Sequence, residues 1–129
     1  YQLPCNIFDK RFINNGSISR LHNNKKEIQI RSIFLQGMIL KNQYQLPKKF
    51  NKWQVVWNRY DKWLQKNQIK TLEACISFIK NQRNIDKILI GFNNESQFNL
   101  FFNQFRLKHK CYNFINFTND ENLLNPSKW

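Results

Sequence analysis

Three short apolar runs, each followed by a stretch of helical periodicity, constrain the fold of this chain more than any other feature of its sequence. The runs span residues 2–8, 27–35 and 87–91, and the second is rich in β-branched side chains. Runs of this length and composition favour buried strands. Strands that alternate with helices imply a parallel sheet, because a helix returns the chain to the same end of the sheet.

Four helical patterns lie between and after these runs. A short one opens near residue 16, and a long one over residues 53–64 is marked by aromatic side chains three and four positions apart. A third begins at Thr71, which we predict as its N-cap. In the fourth, Asn94 and Gln97 have the spacing of a capping box. Its apolar stripe consists of Phe98, Phe101, Phe102 and Phe105.

The length of the chain bounds its domain organisation. With 129 residues it has the size of one domain. Three βα units cannot close a barrel, and as an open sheet they would leave hydrophobic edges. We therefore expect residues 1–129 to be the C-terminal part of a larger α/β domain, with residues 107–129 as an irregular tail. A chain that begins with Tyr1 rather than Met is expected to be processed or cut from a longer one.

Composition excludes several classes of protein. Apolar residues make up 41% of the chain, which is too many for a disordered tail. No run approaches the roughly 18 apolar residues of a membrane helix, so we expect no membrane partner. The three cysteines are odd in number and lack CxxC spacing, so the sequence predicts neither a disulfide framework nor a metal site. We expect a cytoplasmic protein.

The strongly basic balance raises the alternative of a nucleic-acid-binding module. The formal net charge is +13, and aromatic residues make up 16% of the chain. However, the basic residues are scattered along the sequence rather than clustered. The aromatic residues fall on the apolar stripes of predicted helices, where core packing explains them. We therefore rank nucleic-acid binding below a cofactor-binding role and below a structural role.

Function in parallel α/β folds gathers at the carboxyl ends of the strands. In this chain those ends carry almost only neutral hydrogen-bonding groups: Gln2, Asn6, Arg31, Ser32, Gln36, Gly91, Asn93 and Asn94. They include no paired carboxylates, no Ser/His/Asp set and no Cys/His set. Such an edge suits the binding of a polar cofactor better than acid–base catalysis.

Gly91 and the helix that follows Asn94 are the most informative of these ends. Glycine lets the backbone approach a ligand closely, and a helix start offers free N–H groups and the positive end of the helix dipole. These are the elements that bind a phosphate without a charged side chain. The alternative is that Gly91 is a simple turn residue and Asn94 only a cap, and the residues alone leave both open.

Three segments carry a further pattern. They are QLPCN at residues 2–6 followed by IFDKR, then IRSIFLQG at residues 30–37, and ILIG at residues 88–91 with Gln97 six positions after the glycine. In this order and spacing they resemble the sixth, seventh and eighth strands of an aldo/keto reductase, an NAD(P)H-dependent (β/α)8 barrel. The resemblance covers nearly the whole chain. It implies that the chain is the C-terminal half of such a barrel.

The resemblance assigns ten residues to a nicotinamide cofactor: Gln2, Asn6, Arg31, Ser32, Phe34, Gln36, Gly91, Asn93, Asn94 and Gln97. Gln2 would hydrogen-bond the nicotinamide carboxamide, and Arg31 stands where many relatives place an aromatic ring against it. Ser32, Phe34 and Gln36 would line the path of the pyrophosphate, and residues 91–94 together with Gln97 would hold the adenosine end. The loop at residues 92–96 has no Arg or Lys for a 2′-phosphate and contains Glu95, so the resemblance implies NADP or NAD.

The family's catalytic Asp, Tyr, Lys and His come from its first four strands, to which no segment of this chain corresponds. We therefore assign no catalytic residue and expect the isolated chain to be inactive. A complete parent would transfer hydride to a small aldehyde or ketone, with sugar-derived carbonyls as one candidate, and the partner of this chain would be the N-terminal half of the barrel. The main alternative is an inactive or structural half-barrel.

Overall fold

The sheet has three parallel strands in the order β1-β2-β3. A computed structural model describes residues 1–129. The strands are β1 (Gln2–Pro4), β2 (Gln29–Arg31) and β3 (Lys87–Ile88). Leu3 pairs with Ile30, and Ile30 with Ile88. The predicted α/β class with three parallel strands is confirmed, although each strand is shorter than its apolar run.

Helices connect and follow the strands. α1 (Arg11–Asn14) and α2 (Ser17–Asn23) join β1 to β2, α3 (Gln54–Asn67) and α4 (Thr71–Lys80) join β2 to β3, and α5 (Glu95–Arg106) and α6 (Glu121–Leu124) follow. Short 3₁₀ helices occupy Met38–Leu40, Gln43–Gln45, Lys48–Trp53 and Pro126–Lys128. Thr71 is the first residue of α4 rather than its N-cap, which is Lys70. None of the helices has both the length and the apolar character needed to cross a bilayer.

The helices cover one face of the sheet only. On the covered face Ile28 and Ile30 are completely buried. On the other face Gln2 and Arg31 are exposed, and Leu89 keeps 50% of its surface accessible. Because side chains alternate between the faces of a strand, this difference separates the two sides of the sheet. The outer edges of β1 and β3 are also unpaired.

An aromatic cluster forms the centre of the core on the covered face. Phe8 lies just after β1. Its ring centroid is 5.3 Å from that of Trp57 and 5.0 Å from that of Tyr60, both on α3. It also lies 5.5 Å from the ring of Phe117 in the C-terminal segment. All four rings are at most 1% exposed. The periodic aromatic stripe predicted over residues 53–64 is therefore the buried face of α3.

The segment at residues 107–129 packs against this core, although most of it has no regular secondary structure. Leu123 and Leu124 are buried with Phe117. The Lys10 ammonium, after β1, donates hydrogen bonds to the carbonyl oxygens of Phe114 and Ile115 at 2.7 and 2.6 Å. The C-terminal segment is thus tied to the turn that follows β1.

The chain after β2 is a tight turn where the sequence predicted a continued strand. Ser32, Leu35 and Gln36 have φ angles of 58°, 48° and 54°, and Gly37 has 79°. A strand cannot contain such left-handed residues. Ile33 and Leu35 are buried nonetheless. The apolar run therefore reports burial correctly but not backbone conformation.

The packing predicts different reactivities for the three thiols. Cys5 and Cys75 are buried, and burial raises the pKa of each to about 12, whereas Cys111 is exposed. Because the thiolate is the reactive species, we expect one thiol of the native chain to react quickly with a disulfide reagent at pH 8 and all three to react after denaturation. Cys111→Ser should remove the fast reaction. A second fast thiol in the native chain would contradict this packing.

Lys10 predicts a pH dependence of stability. Burial lowers the pKa of its ammonium from 10.5 to about 8. Between these values the unfolded chain binds more protons than the folded one, so this group makes the free energy of unfolding rise with pH; below about pH 8 it contributes no slope. Urea unfolding from pH 7 to 10.5 measures this effect. The free energy of unfolding of the wild-type chain should rise with pH relative to that of Lys10→Met between about pH 8 and 10.5. A difference that stays constant with pH would contradict the prediction.

Candidate functional site

A cleft of about 630 Å³ opens at the carboxyl ends of β2 and β3. One wall is the left-handed turn after β2, and the opposite wall is the loop from β3 into α5 together with the first turns of that helix. The start of α4 contributes Thr71 and Leu72. The volume lies within the range of small-molecule and cofactor sites. The cleft therefore occupies the position where parallel α/β folds hold their ligands.

Six of the ten residues predicted for a cofactor line this cleft. They come from two segments about 60 residues apart in sequence, and they are Ser32, Phe34, Gln36, Gly91, Asn93 and Gln97. The other four, Gln2, Asn6, Arg31 and Asn94, lie outside its lining. The fold thus brings together residues that follow β2 and residues that follow β3. The prediction that Gln2 lies at the carboxyl end of the first strand is wrong, because Gln2 begins β1 and pairs with Gln29 at the amino end of β2.

Uncharged groups alone form the lining of the cleft. Nine of its sixteen residues are hydrophobic, and the rest are serine, threonine, glycine or amide residues. Phe101 of α5 forms the apolar floor, packing edge-on against Phe34 with a centroid distance of 6.1 Å. Phe92 lies 5.6 Å from Phe101. Such a surface suits a flat, weakly polar ring whose edges find hydrogen-bonding partners.

Gln97, in the first turn of α5, lines this cleft, and side-chain caps organise that turn. The Asn94 Oδ1 accepts a hydrogen bond from the backbone N–H of Gln97 at 3.0 Å. The Gln97 Oε1 accepts one from the N–H of Asn93 at 3.1 Å, one residue earlier than in a capping box. The first N–H groups of a helix have no acceptor within it, so those of Glu95 and Ser96 remain available to an anion or to water.

Sequence reasoning missed the contribution of α4 to the cleft. Thr71 and Leu72 line it, although the helix reads as a core helix and Thr71 as its cap. Leu100 on α5 also lines the cleft, whereas the sequence emphasised the phenylalanine stripe of that helix. The hydrophobic periodicity of α4 and α5 predicts which side chains face the core. It does not predict which of their other side chains lie beside the ends of the strands.

Asn6 has a structural role that the sequence did not indicate. Its side chain is buried, and its Oδ1 accepts hydrogen bonds from the N–H groups of Phe8 and Asp9 at 2.9 and 2.8 Å. Its Nδ2 donates to the carbonyl oxygen of Ser32 at 3.0 Å. One amide therefore holds the turn after β1 and fixes the position of the turn after β2.

A second, smaller pocket of about 60 Å³ lies at the carboxyl ends of β1 and β2. Only two of its ten lining residues are hydrophobic. Its lining includes Arg31, Asn6 and the ion pair of Asp9 with Arg11. Asn125 of the C-terminal segment also lines it. Ser32 lines both this pocket and the large cleft, so the two adjoin there.

Comparison with known proteins adds no family assignment. No family model matches the chain, and no curated protein or solved structure matches it. Side chains of His, Cys, Asp and Glu form no group of three or more that could hold a metal ion.

The position of Asn6 predicts that its removal lowers stability. Asn6→Ala breaks three hydrogen bonds and leaves buried backbone groups unsatisfied, which should lower the free energy of unfolding by about 2–4 kcal/mol. Asn58→Ala, on the exposed side of α3, is the matched control and should change stability little. Urea unfolding measures both. Equal stability of the two variants would show that the amide does not organise the turns.

Proposed function

We propose that this chain is the cofactor-binding part of an NAD(P)H-dependent reductase of the aldo/keto reductase type. The observation that carries the proposal is the 630 Å³ cleft at the carboxyl ends of two neighbouring parallel strands. Six residues that the resemblance assigns to the cofactor line this cleft from two separate segments. Their place at the carboxyl ends of parallel strands, where α/β folds hold ligands, supports the proposal.

The one-sided sheet supports the barrel architecture that the proposal requires. A parallel sheet is normally covered on both faces, or closed into a barrel whose inner face is filled by its own side chains. In this chain the face opposite the helices is open, and the strands at both edges lack a partner. In the proposed parent, further βα units continue the sheet from both edges and enclose the open face.

Each wall of the cleft has a separate role in the proposed binding mode. Phe101, Gln97 and Asn93, which line the cleft, would hold the adenine ring. The turn that contains Ser32 would accommodate the phosphates.

When bound, the nicotinamide supplies the hydride, and in the proposed parent it is delivered to an aldehyde or ketone. The residues of this chain orient the dinucleotide and provide no acid or base for the reaction. Proton donation belongs to the N-terminal strands of the parent. This division explains why the carboxyl ends of these three strands carry binding groups without a catalytic set.

Direct titration tests the proposal. NADH and NADPH are each titrated into the full chain, with nicotinamide fluorescence and calorimetry as readouts, and saturable binding at one site is expected. Gly91 has open space around its Cβ position and no left-handed backbone, so Gly91→Trp should fold normally while its side chain obstructs the cleft. We expect this variant to lose binding with an unchanged circular dichroism spectrum.

Gln97→Ala provides a finer test. Loss of the hydrogen bond that its side chain would form with the dinucleotide should weaken binding about fivefold, which is the effect of one ordinary hydrogen bond. Asn103→Ala is the matched control, because Asn103 lies on the same helix, is exposed and does not line the cleft. Absence of binding for both cofactors, or unchanged affinity of Gly91→Trp, would overturn the proposed function.

A further inference from the structure

The small pocket between the carboxyl ends of β1 and β2 contains a guanidinium without an acidic partner. Arg31 is exposed and forms no salt bridge. Its only side-chain hydrogen bond is donated from Nη1 to the Ser32 hydroxyl at 3.2 Å. That bond holds the guanidinium beside the place where the pocket meets the large cleft.

The other charged groups of the pocket neutralise one another. The Asp9 carboxylate has no exposed surface and accepts hydrogen bonds from the Arg11 Nε and Nη2 at 2.9 and 2.8 Å. This pairing is the main reason that the pKa of Arg11 is raised, and Glu121 adds to it. Among the residues that line the pocket, the one charge without a partner is therefore that of Arg31.

We propose that this pocket binds an oxyanion, a phosphate or carboxylate group, through Arg31. A guanidinium presents two parallel donors that match such a group, and the Ser32 hydroxyl lies beside them. Asn125 also lines the pocket and adds a further polar side chain. A buried water needs about 10–15 Å³ of such volume, so about 60 Å³ admits one phosphate or carboxylate group and little more.

The source of the oxyanion rests on the proposed function. Because Ser32 lines both cavities, a group in the small pocket would lie at the end of a dinucleotide held in the large cleft. It is then either a phosphate of the cofactor or the anionic group of a carbonyl substrate. Both sources share the chemistry that Arg31 recognises.

Binding of inorganic phosphate to the full chain in 0.15 M salt tests the pocket without any cofactor. Calorimetry should show one site, and Arg31→Gln should weaken it at least about tenfold. Arg83→Gln removes the same charge from an exposed arginine outside the pocket and should leave the affinity within about twofold of wild type. Arg31→Lys keeps the charge but loses the paired donors, so an intermediate affinity is expected.

Equal weakening by Arg31→Gln and Arg83→Gln, or no phosphate binding by the wild-type chain, would overturn the assignment. A titration with acetate tests whether the pocket also binds a carboxylate. Repeating the phosphate titration with saturating NADPH identifies the source of the oxyanion. Competition between phosphate and NADPH assigns the pocket to the cofactor, whereas simultaneous binding assigns it to an anionic substrate. If phosphate binding depends on Arg31 but NADPH does not bind, the pocket stands and the proposed reductase function fails.

Discussion

Helices pack against only one face of the parallel sheet, and this one-sided packing determines where ligands can lie. The covered face is filled by aliphatic strand residues and by the aromatic cluster around Phe8. The carboxyl edge of the sheet is left to turns and helix starts. Both cavities lie at that edge, and each is bordered by the residues that follow two neighbouring strands. The packing of helices on one face therefore determines both the fold and the position of the two cavities.

Ser32 connects the parts of this edge. Its carbonyl oxygen accepts the Asn6 amide, its hydroxyl accepts a hydrogen bond from Arg31, and its backbone adopts a left-handed conformation. The turn that it opens positions Phe34 and Gln36 in the large cleft. A non-glycine residue with such a backbone costs free energy, and the buried Asn6 amide is the contact that holds it. Rigid turns of this kind preorganise a binding site.

Sequence periodicity predicted the parts of the fold that follow from burial. The aromatic stripe of α3, the buried face of α4 and the three parallel strands all follow from which side chains avoid water. The turn after β2 could not be predicted in this way, because Leu35 is as apolar as a strand residue although its φ is positive. The role of Phe117 was also missed, since a single phenylalanine in an irregular segment has no period.

The candidate site was predicted in part for the same reason. Strand ends can be read from the sequence, so Ser32 and Gly91 were predicted as binding residues, and both line the large cleft. Thr71 and Leu72 depend on how α4 lies against those strand ends, and nothing local encodes that position. The buried hydrogen bonds of Asn6 depend equally on tertiary contacts. An amide at a strand end has the same sequence signature whether it binds a ligand or the backbone of its own chain.

The unpaired edges of β1 and β3 also affect how copies of this chain behave towards one another. An unpaired parallel edge is a template for another strand, and the outer edges of β1 and β3 pair with no strand of the chain. A formal charge of +13 opposes that association through mutual repulsion between copies. Salt screens such repulsion over a Debye length of about 8 Å at physiological ionic strength. Colloidal stability of the chain therefore depends on its surplus of lysine and arginine, which keeps copies apart while the edges remain open.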